Sequence, residues 1–211
     1  QPEEISSADE LYFTGEHLEQ YRHPTRCPES YWQEALSRDP ADSRCHTALG
    51  KRALSRGEFD RARDHFQAAI SRLTRRHPNP VQGEAHYHLG VTNRWLGDQG
   101  SAYRALYKAT WNYEGRSCAF YQLATIDCER GDWSTALDHL EASMDTNRHH
   151  NKAHVLKALV LHHVKADSIR QAYPSPIQIL NAVLSSDPLD HWARHVATLV
   201  DDATGPAATD A

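Results

Sequence analysis

The chain has 211 residues, 24% of them charged, with a formal net charge of -5, a pI near 6.3 and a mean hydropathy of -0.72. That balance excludes a general nucleic-acid binder, which needs a basic face to neutralise phosphates. No run of about 18 apolar residues is present, so no segment reads as a membrane-spanning helix.

Residues 1–7 begin Gln1-Pro2-Glu3-Glu4, are polar, and read as a flexible segment without an apolar leader. The absence of an initiating Met points to a piece of a longer polypeptide. Apolar residues then recur at helical spacing. They predict helices over 8–20, 29–38, 42–56, 58–76, 81–96, 99–112, 116–130, 133–146, 150–166, 175–186 and 189–201. That is five helix pairs and a terminal helix, filling a repeat domain over 8–201. The first pair is interrupted by His23-Pro24-Thr25-Arg26-Cys27-Pro28, and the fifth is stretched by a loop near Tyr173-Pro174-Ser175-Pro176. Residues 202–211, rich in Ala, Thr, Asp and Gly, are expected to be a disordered tail.

The pairs echo one another. Leu89-Gly90, Gly97-Asp98, Ala102 and Leu106 return 34 residues later as Leu123-Ala124, Gly131-Asp132, Ala136 and Leu140. Upstream, Leu49-Gly50, Gly57, Ala62 and Phe66 stand 40 residues before Leu89-Gly90, Gly97, Ala102 and Leu106. A fixed period in this range marks stacked helix-turn-helix units, an all-α superhelical solenoid. Gly57, Gly97 and Gly131 read as left-handed helix ends, and Asp98 as the cap that starts the next helix. Gly50 and Gly90 read as points where the partner helix comes close.

These residues resemble the tetratricopeptide repeat family: the Leu-Gly pairs, the Ala62/Ala102/Ala136 series, Phe66, Ala69/Ala109, and Asp-Pro at 39–40 and 187–188. Trp is missing from the unit starts, and Ala124 and Ala158 replace Gly. The resemblance implies a non-enzymatic interaction module whose concave groove binds a peptide or a neighbouring domain, and the scattered cysteines point to a reducing cytoplasm. Glu10-Leu11-Tyr12-Phe13-Thr14-Gly15, Tyr31-Trp32-Gln33-Glu34-Ala35-Leu36 and Tyr107-Lys108-Ala109-Thr110-Trp111-Asn112 also resemble the repeat region of large bacterial proteins carrying a mutarotase-like β-sandwich domain. That resemblance implies an accessory segment of a carbohydrate-active protein. A third expectation is a homodimer or larger oligomer formed through an end of the array.

In a helix-pair repeat the first helices line the groove. Counting from each Leu-Gly equivalent selects Thr47, Lys51, Leu54 and Ser55, then Tyr87, Val91, Arg94 and Trp95. Tyr121, Thr125, Cys128 and Glu129 follow, and last Val155, Leu159, His162 and His163. Of these, Lys51, Tyr87, Arg94, Trp95, Tyr121, Glu129 and His162 carry the chemistry a peptide partner would use: rigid aromatic contact and pairing to charged groups. The competing reading of Tyr87 and Tyr121 is packing between adjacent first helices. Trp111 and Asn112 read as the packed end of a second helix.

No metal, cofactor or catalytic group is signalled. His86 and His88 project about 200° apart on a helix, and none of the fifteen histidines falls in a zinc-type set. Cys27, Cys45, Cys118 and Cys128 lack a CxxC spacing and read as free thiols. No nucleophile motif or phosphate loop is present. Lys51 stands where the carboxylate-clamping members of the family place Asn, and Gln122 where they place Arg, so chaperone-tail binding is not expected. Arg72, Arg75 and Arg76 read as a basic cluster at a helix end.

Overall fold

The computed structural model describes residues 1–164 and 172–202, with side chains through residue 200. Among the described residues the chain is all-α, with eleven α-helices, one 3₁₀ turn over Pro2–Glu4 and no strand. It falls into two compact units, Gln1–Gly115 and the chain from Arg116 on. The expected tail and residues 165–166 of the ninth helix lie outside the described residues, except for Asp202.

Unit 1 holds three helical hairpins: α1 (Ala8–Gln20) with α2 (Pro28–Arg38), α3 (Ser43–Ser55) with α4 (Phe59–Leu73), and α5 (Glu84–Trp95) with α6 (Gln99–Ala109). Each first helix gives up a side chain where its partner crosses. A Cβ on Gly15 would sit 2.3 Å from the Trp32 indole, one on Gly50 2.6 Å from Phe66, and one on Gly90 2.5 Å from Leu106. Trp32, Phe66 and Leu106 are in turn almost wholly buried. The small residue and the large one are two halves of one contact, because close packing leaves no room for both to be large.

The corners repeat as well. Gly57 and Gly97 have φ of +76° and +80°, and the residue after each sends its N–H back to the previous helix: Glu58 to the Ala53 carbonyl and Asp98 to that of Asn93, both at 2.9 Å. This closes the helix end in the Schellman manner. Asp98 then caps α6 by accepting from the Ser101 N–H at 2.9 Å. Glu58 makes no such cap. At the amino terminus Arg38 donates to the carbonyls of Ile5 and Ser6, and Pro2 is buried.

α7 (Tyr113–Arg130) begins in unit 1 and continues into unit 2, where it is followed by α8 (Trp133–Thr146), α9 (Asn151–His163), α10 (Pro176–Ser186) and α11 (His191–Asp202). The core of unit 2 runs from Ala124 through Leu140, Ala158, Leu161 and Leu180 to Val196. Gly131 and Asp132 reproduce the corner, and Ser175 with Gln178 forms a capping box for α10.

Several helices are shorter than the sequence predicts: α5 starts only at Glu84, and α9 ends at His163, with Val164 already extended. α4 stops at Leu73, where Thr74 turns its hydroxyl onto the Ile70 carbonyl at 2.8 Å, so Arg75 and Arg76 lie beyond the helix end. α6 stops at Ala109, which leaves Trp111 and Asn112 in the following turn. Trp111 is not packed in a core: it is 53% exposed, with the Lys108 ammonium 3.9 Å from its ring centre. Asn112 does tie the turn down, donating to the carbonyls of Pro80 and Val81.

Candidate functional site

In unit 1 the first helices α1, α3 and α5 expose one stripe each. On α5, Glu84, Tyr87, His88, Val91, Arg94 and Trp95 follow the spacing that keeps residues on one side of a helix, and Ala85, His86, Gly90, Thr92 and Asn93 are buried on the other. Three of the four residues expected on α3 line up likewise: Lys51, Leu54 and Ser55 are half-buried or exposed. Thr47 is largely buried and bonded to the Ser43 carbonyl at 2.7 Å, and it lines the cavity between these helices.

The stripes are linked by charge. Lys51 reaches Glu84 at 2.9 Å, and Arg44 reaches Asp9 and Asp42, each at 2.8 Å, with its guanidinium 4.9 Å from the Tyr12 ring centre. Between them lies a cavity of about 300 Å³ walled by Tyr12, Phe13 and Glu16 from α1, by Arg44, Ala48 and Lys51 from α3, and by Glu84 at the start of α5. His88 beside it, 3.8 Å away, and the Lys51 ammonium hold the Glu84 carboxyl down at about 2, against the effect of burial. Burial, opposed by Lys51 and reinforced by Glu84, raises the Glu16 carboxyl above its usual range. Burial, with Glu16 and Glu84 adding to it, pushes the Tyr12 phenol up to about 12. Tyr12 and Glu16 were not among the sequence-derived candidates, yet the count applied to the other units gives both of them from Gly15.

Trp95 and Tyr87 are engaged as well as exposed. Trp95 stacks on Phe59 with ring centres 5.6 Å apart and planes 3° apart, leaving 68% of the residue exposed. Tyr87 meets His88 edge-on at 5.2 Å. Arg94 is half-buried on the same face.

In unit 2 the predicted residues separate. Tyr121 is half-buried against the core and lies 5.0 Å from the His150 ring. Glu129 is exposed and His162 half-buried. Val155, expected to line the groove, is wholly buried in the core. Sequence reasoning missed a polar knot here: His150 Nδ1 lies 3.1 Å from Ser117 Oγ and 3.0 Å from Ser143 Oγ, while Ser143 donates to the Ser117 carbonyl at 2.8 Å. It ties α7 and α8 to the start of α9. A second cavity, about 630 Å³, has a floor of Met144, Ile179 and Val183. On its wall Lys157 pairs with Glu141 beneath the Tyr173 ring.

The buried imidazoles predict a pH dependence. Burial, helped by neighbouring Lys152 and His154, lowers the proton affinity of His150 below its ordinary 6.5. Burial does the same to His65, with His46 at 3.0 Å adding to it, and to His86, with Lys108 adding. The unfolded chain therefore takes up protons first, and stability present above pH 6.5 is lost as pH falls toward the lower folded values. A melting temperature that drops between pH 7 and pH 5 is the expected result. One that stays level or rises over that range would contradict these burials.

The four cysteines are free thiols, Cys45 buried and Cys27 and Cys118 exposed. Among the described residues no three His, Cys, Asp or Glu side chains are grouped to hold a metal ion, and no helix is long and apolar enough to cross a membrane.

Comparison with known proteins agrees with this architecture. The tetratricopeptide repeat family matches residues 29–72 and 47–114. YrrB, described as a TPR protein with an unusual peptide-binding site, superposes with a TM-score of 0.66 and 17% identity, covering 93% of this chain and 94% of its own. PilF of Pseudomonas aeruginosa gives 0.76 and 17%, covering 93% and 84%. PilW, a type IV pilus biogenesis factor, gives 0.67 and 16%, covering 88% and 80%. At these identities the likeness is one of fold. The chain carries tetratricopeptide repeats across residues 29–114, within an all-α fold of that kind.

Proposed function

We propose that the chain is a non-enzymatic interaction module that binds a peptide segment along the face formed by α1, α3 and α5. The observation that carries this reading is the run of exposed polar and aromatic side chains on three successive first helices, with a cavity opening among them. Tyr87 and Trp95 offer rigid area with polar tips, and Arg94 a planar donor fork. Lys51 and Glu84 neutralise each other across α3 and α5. A similar fold carries a peptide-binding site in YrrB, and that likeness of fold supports the same mode of use here.

The test is a titration of the full chain with a peptide selected from a randomised library. Tyr87→Ala combined with Arg94→Ala is expected to weaken binding by about tenfold or more, as truncation of central anchors does. Unchanged affinity in that double variant would remove the face from the account.

A further inference from the structure

The cavity among α1, α3 and α5 is lined by two carboxylates, Glu16 and Glu84, and two cations, Arg44 and Lys51. Both cations are already engaged by carboxylates other than Glu16. Arg44 is shared by Asp9 and Asp42. Lys51 is held by Glu84. Glu16 is the carboxylate left over: it is half-buried, and among the described residues it makes no hydrogen bond or ion pair. Taking a carboxylate partly out of water without a partner costs free energy that a bound cation would recover.

The rest of the lining says which kind of cation. A divalent metal wants several oxygen ligands at once, and no group of three candidate ligands exists among the described residues. Phe13, 62% exposed, stands beside Tyr12 with ring centres 5.2 Å apart, and Ala48 and Leu73 complete an apolar wall. A long aliphatic stem with a charged head fits such a wall, the stem lying on apolar carbon and the head reaching the carboxylate and an aromatic face.

We propose that this cavity accepts one basic side chain, Lys or Arg, of the bound peptide, with Glu16 as its counter-charge. The inference rests on the proposed peptide-binding face and adds a specificity to it. Glu16→Gln keeps the shape and removes the charge, and its folding is checked by circular dichroism and thermal melting.

A randomised peptide library captured on the full chain tests the inference. The expected result is enrichment of Lys or Arg at one fixed position. For a selected peptide, Glu16→Gln should weaken binding by about tenfold, while its counterpart with norleucine at that position should bind the parent and the variant equally. Captured peptides without a basic preference would overturn the inference, as would a preference that Glu16→Gln leaves intact. In either case peptides whose binding falls in Tyr87→Ala with Arg94→Ala keep the face itself. If no peptide is captured, both proposals are overturned.

Discussion

Replacing Phe66 by alanine is expected to destabilise unit 1 by about 3–5 kcal/mol, lowering the melting temperature by on the order of 10 °C. Phe66 is fully buried and sits between two hairpins. Its ring fills the space that Gly50 leaves open on α3, and its far side stacks on His88 of α5 with ring centres 5.6 Å apart. Removing it leaves a cavity between α3 and α4 that glycine cannot help to close. Phe66→Leu should recover part of the loss. Phe13→Ala, at an exposed position, should stay within about 0.5 kcal/mol, as surface changes usually do. Equal effects from Phe13 and Phe66 in thermal melts would contradict the assigned packing.

Gly90→Ala pits two effects of opposite sign against each other. In an exposed helix, alanine is favoured over glycine by roughly 0.5–1 kcal/mol. Here the new Cβ would fall 2.5 Å from Leu106 Cγ and 3.1 Å from the Leu106 backbone nitrogen. The leucine can rotate away, but the backbone cannot, so overpacking at about 1–3 kcal/mol should win. Gly90→Val should cost more still. The sharper readout is the double variant: Gly90→Ala with Leu106→Ala should cost less than the sum of the two singles, with a coupling of about 0.5–3 kcal/mol. Additive effects would mean that the two helices do not meet at this point. At the equivalent position in unit 2 alanine is already the native residue, Ala124, wholly buried, so Ala124→Gly should destabilise.

The hairpins were legible in the sequence because their demands are local. A left-handed corner needs glycine, a close crossing needs a small residue, and both recur at fixed spacing; hence the corners at Gly57, Gly97 and Gly131 and the crossings at Gly50 and Gly90. What escaped depends on distant partners. α6 ends three residues early, and the turn beyond it is anchored by Asn112 reaching carbonyls 31 and 32 residues upstream. The Ser117, Ser143 and His150 knot joins residues 26 and 33 apart in the chain, and no motif spacing announces it. Tyr12 and Glu16 are a different case. Their signal was present at Gly15, but the prolines at 24 and 28 break the first unit and hid its register.

Binding of a library-selected peptide, followed by the amide NMR shifts of the full chain, tests the central claim most directly. Shifts clustered at Tyr12, Glu16, Lys51, Tyr87 and Arg94 are predicted, with the outward sides of α4 and α6 unmoved. Shifts concentrated at Arg63, Gln67 and Arg104 on those second helices, with the first helices silent, would contradict it.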